Sequence, residues 1–213
     1  AGDDVERECD DEAVTLTATY HASGIDTTAY DINVLDSCPL PPTTGGTSAQ
    51  IDVDDTWSEV IDLGFDFCFF GDTYSQILIG ANGVLTFDTS EAGEFCEWNV
   101  DDPIPNPAVI TNAIFGAYHD INPGTCGTIE YSILGSAPAR QFVVNFDNVC
   151  HFSCGDLMTS QQIILYETSN NIDVNIFDKP VCAGWNDGNA VIGVQNADGT
   201  LGFAPVGRNT SGW

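Results

Sequence analysis

The chain has 213 residues and carries 32 acidic against four basic side chains, a formal net charge of −28. Charge of this sign and size excludes nucleic acid as a partner, because a polyanion must be met by a basic patch, and Arg7, Arg140, Lys179 and Arg208 are too few and too scattered to form one. Apolar residues make up 43% of the chain, enough for a core, so the acid is a surface property and not a mark of disorder, and no run of about 18 apolar residues offers a membrane span.

Taken in chain order, the elements read as strands. Val14, Leu16, Ala18 and Tyr20 alternate with threonines. A stiff, turn-rich stretch, Pro39-Leu40-Pro41-Pro42-Thr43-Thr44-Gly45-Gly46, follows. It divides a small N-terminal segment, 1–42, from a main body, 43–213. Ile77–Gly80 and Val84–Phe87 flank Ala81-Asn82-Gly83, and Asn-Gly between apolar runs is a strong hairpin signal. Pro103, Pro105 and Pro107 mark an irregular loop, since proline cannot donate to a sheet ladder. Ile129, Tyr131 and Ile133 alternate, as do Phe142, Val144 and Phe146. Ile163–Tyr166 and Ile172–Phe177 are joined by the turn Ser169-Asn170-Asn171, and Ala190–Val194 leads through Asp198-Gly199 to Leu201 and Phe203. About a dozen short strands at this spacing, with helix periodicity almost absent, predict an all-β chain, an antiparallel β-sandwich or jelly-roll-like fold.

Eight cysteines, an even number, read as a disulfide framework. Disulfides persist outside the reducing cytosol, so the chain is expected to be extracellular. Its N-terminus, Ala1-Gly2-Asp3-Asp4, lacks a basic region followed by an apolar run, so a signal peptide would have been removed or lie upstream. The chain is read as part of a longer polypeptide. Spacing alone does not select a pairing of eight cysteines.

Several stretches carry a resemblance. They are Ala1-Gly2-Asp3-Asp4 with Ala13–Ala18, Leu63–Gly71 followed by Ile79–Gly83, Ala113–Pro123, Lys179–Cys182 with Trp185-Asn186, and Gly207–Thr210. Together they resemble a domain of the large secreted surface proteins of Bacteroidetes, the adhesins linked to gliding motility and type IX secretion. The resemblance implies a surface module with an immunoglobulin-like or extended N-terminal segment, partnered by other domains of the same secreted chain. It also implies the pairs Cys154–Cys182 and Cys68–Cys96. The other four are then expected as Cys9–Cys38, stapling the N-terminal segment to the proline stretch, and Cys126–Cys150, tying neighbouring strands.

Candidate chemistry is sparse. Cys150-His151-Phe152-Ser153-Cys154 invites zinc, although bridges are the alternative use of those thiols. His119-Asp120 could be half of an acid/base pair or a loop whose polar groups bind the backbone. His21 reads as an exposed strand-end residue. No Gly-x-Ser-x-Gly elbow and no Glu-x-Asp-x-x-Glu strand motif is present, and Glu91 and Glu94 share a glycine-containing loop that does not fix two carboxylates across a bond. Asp52, Asp54 and Asp55 are candidate calcium ligands, against the reading of a solvated acidic face. Asp26-Thr27-Thr28 resembles an O-glycan attachment pattern on Thr27, and Asn209-Thr210-Ser211 fits N-glycosylation. Trp57, Trp98, Trp185 and Trp213 lie in turn-like surroundings, where they either stack on sugars or cap a core. The expected function is that of a non-catalytic extracellular module acting in adhesion or structure, with no required cofactor unless calcium. The alternatives are a carbohydrate-binding module for surface glycans and a self-associating subunit of a filament or surface layer.

Overall fold

In the computed structural model, residues 28–35 and 45–213 are described. The alternating stretch at 14–20, His21 and the proline stretch to Thr44 lie outside them, and so does the expected boundary at 42.

Thirteen strands form the described chain: β1 (Thr47–Ser48), β2 (Ile61–Phe69), β3 (Asp72–Gly80), β4 (Val84–Thr86), β5 (Ala113–Tyr118), β6 (Ile121–Asn122), β7 (Thr128–Leu134), β8 (Gln141–His151), β9 (Met158–Tyr166), β10 (Ile172–Asp178), β11 (Asn189–Gln195), β12 (Gly202–Phe203) and β13 (Asn209–Gly212). Helix is confined to two single 3₁₀ turns among the described residues. The strands pair antiparallel into two sheets. One runs β1-β7-β8-β9-β10 with β6 on β8, and the other β12-β11-β5-β4-β3-β2 with β13 on β11. The chain is therefore a β-sandwich, each sheet containing a meander of consecutive strands.

Alternation places the core. In β2, Ile61, Leu63, Phe65 and Phe67 are buried while Asp62, Gly64 and Asp66 face solvent. From the facing sheet come Ile129, Phe142, Val144, Phe146, Ile163 and Leu165, and the two sets meet in one cluster with Ile79, Leu85 and Ile114. Tyr30, ahead of β1, packs its ring on Phe69, Phe70 and Phe203 at centroid distances of 5.7, 4.9 and 6.1 Å. The second sheet is covered on its outer face too. Leu78, Val84, Phe115 and Val191 point away from the sandwich and are roofed by Trp57, Cys96, Val100 and Ile104, from the irregular segments before β2 and between β4 and β5. That is why β4 and β5 are buried at every position.

The interior is not uniformly apolar. Along β9 the inward row runs Leu165, Ile163, Gln161, Thr159, from apolar to polar. Gln161 is fully buried and crosses between the sheets. Its Oε1 accepts from the Ala117 N–H at 2.5 Å and its Nε2 donates to the Ala117 carbonyl at 3.3 Å, pairing with β5 as a strand would. Room for this amide comes from glycine. A Cβ on Gly83, whose φ of +82° already disfavours one, would lie 2.5 Å from Gln161 Nε2, and a Cβ on Gly116 would meet Oε1. In β8 a register shift between Phe146 and Val149 lets Phe142, Val144 and Phe146 face inward before it, and Val149 and His151 after it.

Arg140 and Glu167 form the one salt bridge among the described residues. The Arg140 guanidinium donates from Nε and Nη2 to Glu167, and also to the Gly64 carbonyl. Hydrogen bonds from Arg140 pull the Glu167 carboxyl down from 4.5 to about 2. A carboxylate whose folded value is depressed contributes stability above its unfolded value and loses it as pH falls through the folded one. Glu167→Gln should therefore destabilise the chain at neutral pH, and the gap to the parent should close as pH falls from 4.5 towards 2. Urea melts of both proteins across that range measure it.

Candidate functional site

The polar end of the sandwich lies where the chain passes from one sheet to the other. β5 ends at Tyr118 in the second sheet and β6 begins at Ile121 in the first, so His119 and Asp120 sit at the crossing. Ile121 points into the main core. Alternation then puts Asp120 and Asn122 on the side opposite Ile121.

Asn82, in the Asn-Gly turn between β3 and β4, holds this crossing in place. Its side chain is fully buried. Nδ2 donates to Asp55 Oδ1 at 2.9 Å and to the carbonyls of Cys96 and Glu97 at 3.3 and 3.1 Å. Its Oδ1 accepts from the Ile121 N–H at 3.0 Å, and its own carbonyl accepts from the His119 N–H at 3.2 Å. One amide thus binds the 54–57 segment, the loop around Cys96 and the crossing.

Three carboxylates converge there. One oxygen from each of Asp54, Asp55 and Asp120 lies within 4.8 Å of the other two. Asp120 is only 6% exposed. Its Oδ2 accepts from the Trp185 indole N–H at 2.7 Å, while Oδ1 is buried without a hydrogen bond, as are Asp54 Oδ1 and Asn122 Oδ1. Burial raises the Asp120 carboxyl from 3.8 to about 7, opposed by the Trp185 bond and aided by the charges of Asp55 and Asp54. Burial also raises Asp54, with help from the Asp55 charge, and raises Asp55 against its bond from Asn82. Of the expected calcium ligands, then, Asp54 and Asp55 are brought together. Asp52 is not: its side chain is exposed and outside the trio. Asp120 takes its place, a residue that adjacency had set beside His119 as an acid/base partner.

His119 turns away from that role. Its Nε2 and the Nε2 of His151 each lie 2.9 Å from Thr159 Oγ1, and the two rings are 4.6 Å apart. A hydroxyl between two imidazoles donates to one and accepts from the other, which suits two neutral rings. Burial, then the charge of Lys179, lowers both histidines, His151 to about 4. The cavity bounded by His119, His151, Lys179 and Trp185 holds only about 20 Å³, close to the space of a single water.

The cysteines agree with the sequence reading in two bridges and correct it in one. Cys126–Cys150 and Cys154–Cys182 are formed, so the thiols of Cys150 and Cys154 are not available to zinc. Each bridge closes a loop that should contribute about 3–4 kcal/mol by restricting the unfolded chain. Cys68 and Cys96 are not bonded to each other. Cys68 pairs in register with Thr73, whereas the Cys96 sulfur packs against Gly80 and Trp57. Thr73 and Gly80 are at opposite ends of β3, roughly 20 Å apart at the rise of a strand, and a disulfide needs Cα atoms within about 7 Å. Cys96 is a buried free thiol, and desolvation pushes its titration well above the ordinary range. Cys9, Cys38 and Thr27 lie outside the described residues.

The tryptophans divide. Trp57 is buried in the outer cluster. Trp213 carries Lys179 Nζ at 4.6 Å and the Arg208 guanidinium at 4.4 Å from its ring centroid. Trp98, Trp185 and Phe152 form a row at the surface, with centroids 5.8 and 5.4 Å from that of Trp185. Asn209 spends its amide on the Ile104 backbone in both directions, so it does not offer a free acceptor nitrogen to a glycan. Glu91 and Glu94 are exposed and take no part in the polar end. What sequence reasoning missed was the meeting of 54–55 with 120–122, which depends on the buried amide of Asn82, a residue read only as turn chemistry.

Fold and bridges together define a disulfide-stapled β-sandwich with a polar, acid-lined end. The chain belongs to the NIDO-related family, whose model matches residues 30–211. No curated protein and no solved structure matches it. The two disulfides and the family mark an extracellular module.

Two outcomes are expected. Asn82→Ala should cost about 3 kcal/mol or more, since it leaves the buried Ile121 N–H without a partner and takes a donor from the half-buried Asp55 carboxylate and from two loop carbonyls; chemical denaturation measures it. Cys96 should resist alkylation in the native chain and react on unfolding, as read by intact mass.

Proposed function

We propose that this chain is a non-catalytic extracellular module of a bacterial surface protein, serving adhesion or structure. The observation that carries this reading is the closure of the polar end. The side chains that resemble an acid/base set are turned apart, His119 to Thr159 and Asp120 to the Trp185 indole, and His119, 5% exposed, borders a cavity of about 20 Å³, too small to admit a substrate group. The remaining buried polar side chains act as ties: Asn82 and Gln161 bond the backbone of other strands and loops. The motif resemblance to Bacteroidetes surface adhesins points the same way, while membership of the NIDO-related family does not itself speak for that group of bacteria, for gliding motility or for type IX secretion.

One observation favours a second reading, a carbohydrate-binding module. The row Trp98–Trp185–Phe152 presents aromatic faces at the surface, with Phe152 47% exposed, and such faces stack on sugar rings. A glycan array probed with the purified chain, together with light scattering over a range of concentration, separates the readings. The adhesion or structural module is expected to bind cell surfaces as a bead coating, to retain no free glycan and to stay monomeric. Glycan retention that Trp98→Ala or Phe152→Ala abolishes would transfer the assignment to carbohydrate binding. Concentration-dependent polymers would transfer it to a filament or surface-layer subunit, and turnover of any glycan would overturn the non-catalytic reading.

A further inference from the structure

We infer that Asp54, Asp55, Asp120 and Asn122 form a calcium site at the crossing between the two sheets. Four observations support it. First, three carboxylate oxygens from two separate segments lie within 4.8 Å of one another. Second, Asp120, a member of the trio, is more than nine-tenths buried, and its Oδ1 has no hydrogen-bond partner. The neutral amide oxygen of Asn122, on the same side of β6, is likewise buried and unpartnered. Buried oxygens left without donors are rare unless something electropositive occupies the space between them. Third, no side-chain cation of the described residues serves the trio. Arg140 is taken by Glu167, Lys179 donates to the Gly188 and Trp213 carbonyls, and Arg208 lies on the Trp213 ring. Fourth, Asn122 borders the same loop as Asp54. Its Oδ1 and the Asp52 carbonyl are each 3.0 Å from the point where a Cβ on Gly124 would sit, so Asp52 comes near through its backbone oxygen and not its carboxylate.

The donor set names the ion class. The unpartnered atoms of these four residues are oxygens, two from the carboxylates of Asp54 and Asp120 and one from the amide of Asn122, and Asp55 adds a third carboxylate that already accepts from Asn82. A hard divalent cation with a large, adaptable shell suits that set, and magnesium, which demands a tight octahedron and keeps its waters, suits it less. Bound there, calcium would tie the 54–57 segment, which leads to the roof of the second sheet, to the crossing into the first. It would also remove the repulsion among three carboxylates, one buried and two half-buried. Trp185 donates to Asp120 Oδ2 and so stands beside the site, which makes its indole an antenna for a lanthanide placed there.

The test uses terbium and calcium on the intact chain. Terbium luminescence excited through tryptophan should appear with the parent protein, be displaced by calcium and fall with Trp185→Phe. Calcium at sub-millimolar to millimolar concentration should raise Tm more than magnesium does, and more than sodium chloride at matched ionic strength. Asp54→Asn and Asp120→Asn should each weaken calcium binding by about tenfold or more. Without calcium both should melt at or above the parent's temperature, because each removes a mutually repelled charge. Asp52→Asn should keep the full calcium response. If Asp120→Asn fails to fold, Asp54→Asn decides alone. Equal Tm shifts for calcium and sodium at matched ionic strength would overturn the site, and so would a full calcium response in Asp54→Asn. Neither result would touch the non-catalytic reading, which the glycan and bead assays address separately.

Discussion

A single buried amide organises the functional end of this molecule. Asn82 has no contact with solvent, and its side chain satisfies one donor at the sheet crossing, one carboxylate and two loop carbonyls. Its partners lie in the short strand β6 and in two loop segments that are otherwise joined by an isolated bridge at Thr56 and Phe95. In a low-dielectric interior such groups must be paired or the fold pays their desolvation. The segments at 54–57, 96–97 and 119–121 therefore converge on one turn, and the carboxylates they carry converge with them.

Gln161 imposes a similar constraint deeper in the sandwich. Two sheets held only by apolar contact can slide, whereas an amide that pairs with the Ala117 backbone has one register. The glycines at 83 and 116 leave the space this requires. From Gln161 the inward row continues to Thr159 and the two histidines, so the core changes from packing to hydrogen bonding as it nears the acidic end. Neutral imidazoles suit that place, and burial keeps them neutral.

Charge gives the acidic end its character. With a formal net charge of −28, the folded surface repels itself, and counter-ions must supply what the side chains do not. Three of the four basic residues are described, and each is committed elsewhere, to Glu167 or to the ring and carboxyl-terminal backbone at Trp213. An extracellular medium, rich in salt and divalent ions, is the setting in which such a surface and such a carboxylate trio are least costly.

Sequence alone determined the strands, because alternation is a local property. The alternating stretches Ile129 to Ile133 and Phe142 to Phe146 are strands β7 and β8, although Ile133 at the end of its row is exposed. It also determined the turns at Asn82-Gly83, at Asn170-Asn171 and at Asp198-Gly199, whose residues suit positive φ or self-capping. Family likeness supplied Cys154–Cys182, the remaining cysteines left Cys126–Cys150, and the likeness failed for Cys68 with Cys96, since a motif carries no distance and β3 holds those two apart. Only the tertiary structure decided which acids act together. Asp52 and Asp54 are near in sequence, yet Asp54 meets Asp120, because the chain's return from β5 and the buried amide of Asn82 bring them face to face. Proximity across more than sixty residues is set by strand order and by where buried polar groups find partners, and neither is written in the local pattern.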